Sequence, residues 1–100
     1  MRLSDFEQRV IIESFTTLFE PEDHLWLFGS RVDDTRKGGD IDLFIETSIS
    51  KSELSNKIVA FLRAVMDKIG EQRIDVVTYH FGLKLRPIDE EARQTGIRLK

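Results

Sequence analysis

Apolar residues recur at helical spacing at Phe6, Val10, Ile11, Phe15, Leu18 and Phe19, and the pattern stops at Pro21. Ser4 with Glu7 three residues later has the form of a capping box, so a first helix is predicted over about residues 5–19. Leu25-Trp26-Leu27-Phe28 is too short for a helix and rich in aromatics, which predicts a buried strand ending at Gly29-Ser30. The polar stretch 35–39, with two adjacent glycines, reads as a loop returning the chain into a second strand over 40–46, antiparallel to the first. Ser50 and Glu53 form a second capping-box pair. Leu54, Ile58, Phe61, Leu62, Val65, Met66 and Ile69 then make one apolar stripe, predicting a helix over 51–69 before Gly70. The β-branched run 73–79 predicts a third strand. Pro87 opens a last helix with Asp89, Glu90 and Glu91 in its first turn, Arg93 late and Gly96 as its stop. Ile97 and Leu99 suit a small edge strand. With no internal repeat or linker, the pattern predicts one α/β (α+β) domain over 1–100, a small mixed sheet of three or four strands packed against two or three helices.

Composition narrows the function classes. The chain has 100 residues, enough for one modest core, and 15 basic residues scattered among 18 acidic ones for a net charge of −3. That balance argues against direct nucleic-acid binding. There is no cysteine, so thiol-based zinc sites and redox pairs are excluded, and His24 and His80 are the only imidazoles. Asp5 and Glu7 stand where a basic leader would lie, and no apolar run approaches the ~20 residues of a membrane span, so a soluble cytoplasmic protein without membrane association is expected.

The candidate chemistry lies between residues 29 and 45. Asp40 and Asp42 are one residue apart on a predicted strand, so both point to one side and can hold hard cations, while Ile41, Leu43 and Ile45 point to the core. Gly29 lets backbone approach phosphate closely, Ser30 adds a hydroxyl and an amide, and Arg31 is the neighbouring cation. Asp75, within Ile74-Asp75-Val76-Val77, is the one other strand-embedded acid. An ionised carboxylate in apolar surroundings requires a partner or a metal. Together these residues suit nucleotidyl transfer, in which two magnesium ions ~3.5–4 Å apart neutralise a triphosphate, orient the acceptor hydroxyl and offset charge on the leaving pyrophosphate. Taken alone, a Gly-Ser pair is only a turn after a strand. The spacing to Asp40 and Asp42 and the later Asp75 is what a solvated edge strand leaves unexplained. Asp33 and Asp34 read as solvated turn residues, and Glu46 as a surface acid at a strand end. Trp26 and Phe28 read as core, His24, His80 and Tyr79 as structural or surface, and Lys84 and Arg86 as solvated.

Leu27-Phe28-Gly29-Ser30-Arg31, the Asp40-Ile41-Asp42-Leu43 run nine residues beyond it, and Ile74-Asp75-Val76-Val77 resemble the minimal nucleotidyltransferases (MNT) of the DNA polymerase β superfamily, and most closely the antitoxins of HEPN/MNT toxin–antitoxin pairs. The resemblance covers essentially the whole chain. It implies a polymerase β-like palm that binds ATP and magnesium through Gly29, Ser30, Asp40 and Asp42, with Asp75 completing an acidic triad. It also implies a helical HEPN ribonuclease as partner, neutralised by transfer of AMP to a tyrosine. A catalytically silent antitoxin that only masks its toxin, or a transferase for a small-molecule or RNA hydroxyl, are the other functions such a chain could have. The loop departs from the family pattern at Asp33 and Asp34, where relatives often carry a small residue, and at Gly39, where they often carry serine.

Overall fold

The computed structural model describes residues 1–35 and 39–100. Its elements are α1 (Asp5–Leu18), β1 (His24–Phe28), a 3-10 turn (Gly29–Val32), β2 (Ile41–Thr47), α2 (Lys51–Ile69), β3 (Ile74–His80), α3 (Pro87–Thr95) and β4 (Ile97–Arg98). The sheet order is β3-β2-β1-β4. β2 runs antiparallel to β1, as expected from the short return, and parallel to β3, with α2 as the crossover; β4 is antiparallel to β1. The result is a mixed four-stranded sheet with three helices, an α+β architecture consistent with a polymerase β-like nucleotidyltransferase fold. Residues 36–38 of the expected loop, Gly38 of its glycine pair among them, lie outside the described residues.

Helix boundaries follow the apolar pattern, but the two predicted capping boxes have different outcomes. At α1 the Ser4 hydroxyl accepts from the Glu7 amide and the Glu7 carboxylate accepts from the Ser4 amide, both at 3.0 Å. At α2, Ser50 is the cap residue but its hydroxyl lies 3.1 Å from that of Ser52 and caps nothing. Helix α3 stops at Gly96 in an extended conformation, not a left-handed cap. A Cβ there would lie 2.2 Å from the Ala92 carbonyl oxygen and 3.0 Å from that of Leu27. The glycine is needed for close approach of α3 to β1.

The sheet is covered on both faces. Leu25, Leu27, Ile41, Leu43 and Ile45 pack under α1 and α2 against Ile11, Phe15, Phe61 and Val65. Phe15 and Phe19 stack at 4.7 Å, and Phe61 meets both edge-on. Phe28, Phe44 and Tyr79 on the opposite face pack with Ala92 of α3, and Trp26 and Val77 lie beside them. The expectation that Glu46 is a surface acid is corrected by this second layer: Glu46 is 1 % exposed. Its carboxylate accepts from Trp26 Nε1 (3.0 Å) and Arg93 Nε (2.6 Å) and pairs with His24 Nδ1 (2.9 Å). Arg93 also lies over the Tyr79 ring, 5.3 Å from its centroid. A sequence pattern places Glu46 at a strand end but not under α3, which brings the arginine. Arg86 is likewise bound, its side chain donating to Asp89 and to the Thr78 carbonyl. Among the described residues no helix is long and apolar enough to cross a membrane.

Burial pushes the Glu46 carboxyl up, but the hydrogen bonds from His24, Trp26 and Arg93 and the Arg93 charge outweigh it and hold the group below the usual carboxylate range. A depressed folded-state value stabilises the fold above the unfolded carboxyl's pKa, and that stability is lost as pH falls through the folded value. Glu46→Gln is therefore expected to cost about 1–3 kcal/mol at pH 7, with the difference from the wild type shrinking on acidification, as read by urea denaturation across pH. A pH-independent difference would show that the charge contributes nothing.

Candidate active site

One transverse row of the sheet organises the site. Phe28, the last residue of β1, pairs with Asp42 of β2, and Asp42 pairs with Asp75 of β3. Residues paired across a sheet project to the same face, so Asp42 and Asp75 stand side by side on the face that α3 covers further along. Asp40 lies just ahead of β2, which starts at Ile41 and not at residue 40. Arg73, two residues before Asp75, reaches across the acids: its Nε lies 3.3 Å from Asp40 Oδ2 and 3.9 Å from Asp75 Oδ1.

Asp75 is not the desolvated acid its apolar neighbours suggest. Its side chain is 51 % exposed, because β3 is an edge strand and α3 does not reach its N-terminal end. The electrostatic cost falls on Asp42. Burial raises its pKa above the usual carboxylate value, and the charges of Asp75 and Asp40 raise it further.

The turn after β1 presses against this row. Gly29 has φ +76°, and a Cβ there would lie 2.4 Å from Asp42 Oδ2, so only glycine serves both the left-handed backbone and the contact with the carboxylate. Gly39 has φ +90°, and a Cβ there would lie 2.4 Å from Ser30 Oγ. The Ser30 side chain thus sits directly against the backbone leading into Asp40. Arg31 fastens the turn: its Nη1 donates to the Arg2 carbonyl at 2.7 Å and its Nε to the Gly39 carbonyl at 3.3 Å. Arg2 answers with Nη2 to the Ser30 carbonyl (2.8 Å) and Nε to the Asp33 carbonyl (2.9 Å). Asp33 accepts from the Thr35 amide and hydroxyl in a local turn, and Asp34 pairs with the N-terminal ammonium of Met1. A recess of about 370 Å³ opens beside the turn, lined by Phe28, Gly29, Val32, Asp33, Glu91 and Thr95.

Gly29, Ser30, Asp40, Asp42 and Asp75 are thus gathered at one end of the sheet, with Arg31 holding the turn from behind. Arg73 and Arg2 are parts of this site that the motif reading passed over. Alternation into β3 was a usable signal for Arg73, since a single residue separates it from Asp75; nothing in the local pattern marks Arg2. The donors are all carboxylate oxygens, the chemistry of a hard divalent cation, and the repulsion felt by Asp42 is what such a cation would relieve. Among the described residues no three His, Asp or Glu side chains converge closely enough to enclose one ion as placed.

A sheet of this topology with a glycine-serine turn facing an acidic row is the arrangement of a nucleotidyl-transferring palm. The family model described as a nucleotidyltransferase domain matches residues 9–95, and the chain belongs to that family, within the polymerase β-like superfamily. Members generally use a nucleoside triphosphate and a divalent metal. No curated protein matches the chain.

Two substitutions test the geometry. Gly29→Ala combines backbone strain with a clash on Asp42 and is expected to destabilise by about 1–3 kcal/mol in denaturant unfolding. Asp42→Asn has the opposite sign. A raised folded-state pKa gives stability that is present below the unfolded value and lost as pH rises through the folded one, so at neutral pH the ionised Asp42 works against folding. Removing its charge is expected to stabilise by roughly 0.5 kcal/mol, or ~2–4 °C in Tm, with the gain fading at acid pH. A lower Tm at pH 7 would show that Asp42 is not electrostatically strained.

Proposed function

We propose that this chain is a magnesium-dependent adenylyltransferase that moves AMP from ATP to a protein hydroxyl, a tyrosine of a helical HEPN ribonuclease toxin, and so acts as that toxin's antitoxin. The observation that carries the transferase reading is the row Phe28–Asp42–Asp75, with Asp40 ahead of it and Gly29 against it. A nucleotidyl transfer needs acids at this density facing a turn whose backbone phosphate can approach, as it can at Gly29.

In this reading Asp40, Asp42 and Asp75 hold the metal pair, which when bound neutralises the triphosphate and the leaving pyrophosphate. Gly29 and Ser30 receive the phosphates at the turn. The recess beside Gly29, with Asp33 and Glu91 in its lining, repels phosphate but suits the hydroxyl and amino donors of a nucleoside. The acceptor oxygen forms its bond to the α-phosphorus as the bond to the bridging oxygen of the β-phosphate breaks. Pyrophosphate leaves, and the acceptor's proton passes to the Asp75 carboxylate, which stands half exposed where an acceptor can reach it. The HEPN partner and the choice of tyrosine rest on the motif resemblance.

The test is transfer of label from α-phosphate-labelled ATP with magnesium onto a co-expressed HEPN protein, comparing the native chain with the Asp40→Asn/Asp42→Asn double variant. Label is expected with the native chain and a loss of at least about 10³-fold in the variant, whose fold is checked by circular dichroism. Labelling by the variant at the native rate overturns the assigned mechanism. Neutralisation of the toxin by the variant without label favours a silent, masking antitoxin.

A further inference from the structure

β3 ends the sheet, and its outer edge is unpaired by any strand among the described residues. The Ile41 amide donates to the Arg73 carbonyl, which sets the parallel ladder. Residues 73, 75, 77 and 79 turn their peptide groups towards β2, whereas Ile74, Val76 and Thr78 turn theirs outward. The C-terminal end of this edge is closed: Arg86 Nη2 donates to the Thr78 carbonyl at 2.6 Å, and the Leu83 amide donates to the carbonyl of His80. What stays open runs from Ile74 to the Thr78 amide, with Asp75 near its N-terminal end and Val76 at its centre. Natural sheets usually block such an edge with a charge, a proline or a bulge. Here the only charge on it belongs to the candidate active site.

A groove follows the same edge. Its first part, about 330 Å³, lies between β3 and α2 and is lined by Leu54, Ser55, Ile58, Val76 and Thr78. Its second part, about 310 Å³, shares Leu54 and Thr78 and carries Lys51, Leu83 and Lys84, Leu83 being 59 % exposed. The groove is therefore apolar beside Val76 and basic at the C-terminal end of the strand.

We infer that β3 takes an extended segment of the protein acceptor as a fifth, antiparallel strand, which sets the acceptor hydroxyl against Asp75; this rests on the protein-acceptor reading above. The residue opposite Asp75 occupies a non-hydrogen-bonded pair, where side chains lie closest, and its side chain emerges on the acidic face. Strands are spaced ~4.8 Å apart, so Asp42 lies two spacings away, about 10 Å, which selects tyrosine over serine as the residue able to reach between the acids. Its two neighbours point to the other face, into the apolar groove of Leu54, Ile58 and Val76. Three residues before the tyrosine, opposite Thr78, the segment meets Lys51 and Lys84, so an acidic residue fits there. A second copy of this chain suits the edge badly. Antiparallel pairing of two β3 strands about Val76 would bring two acidic clusters within two positions of each other.

The probe is an end-blocked nine-residue peptide with central tyrosine, valine on either side and glutamate three residues before the tyrosine. Binding is expected to slow hydrogen exchange at the Ile74, Val76 and Thr78 amides at least about tenfold. N-methylation of the two valines, whose amides face β3, should weaken binding roughly tenfold or more, and N-methylation of the tyrosine, whose amide faces away, should not. Val76→Pro, which removes an outward amide and spares the β2 ladder, should weaken peptide binding equally while ATP binding is kept. No binding, equal binding of all the methylated peptides, or binding without protection at those three amides overturns the inference. Protection of the same amides in a peptide-free dimer overturns it in favour of self-pairing. Bound, protected peptide that receives no AMP would instead count against the transferase reading and leave the docking mode standing.

Discussion

β2 is packed on both of its faces, and the site depends on that. Ile41, Leu43 and Ile45 fill the layer under α1 and α2, while Phe44 and Glu46 fill the layer under α3. A slip of one residue would send Asp42 and Glu46 into the apolar layer and expel three core side chains. With both faces filled, the pairings of Asp42 with Phe28 on one side and Asp75 on the other have no competing register. The acids are held together because the core around them permits no other arrangement.

The two faces carry different loads. The α1/α2 layer is apolar and supplies most of the burial. The α3 layer is tied by a buried carboxylate, Glu46, whose three partners come from β1 and α3. That network sits at one end of the face and the acidic row at the other. Glu46 is charged and fully partnered by donors. Asp42 is charged and crowded by other acids, with one exposed arginine reaching Asp40 and Asp75. A carboxylate that meets no donor among the described residues is poised for a cation or a substrate, and its placement against Gly29 of the turn is the physical content of the family assignment.

Much of this was legible in the chain. The 3.6-residue stripes marked α1 and α2 to within a residue or so, and Pro87 marked the start of α3. The aromatic run before Gly29, the alternation through 40–46 and the β-branched run at 73–79 marked three strands; the first begins one residue earlier than expected and ends where expected, and the other two lie one residue later. The capping box at Ser50 was not legible, because its hydroxyl has an alternative partner in Ser52 that composition alone does not exclude. Nor was the burial of Glu46, since its arginine partner lies 47 residues away along the chain.

By itself the sequence determined the elements, the spacing of the glycine-serine turn from the Asp-x-Asp pair and the presence of a third strand acid, because periodicity and turn chemistry are local properties of the backbone. Only the tertiary structure decided that Asp42 bears the desolvation while Asp75 stands half exposed, that Arg73 joins the acids, that Arg2 and Arg31 clasp the turn, and that the outer edge of β3 meets no strand among the described residues. Exposure, charge coupling and strand order are set by which segments pack beside one another, and residues far apart in sequence carry no mark of that until the sheet has formed.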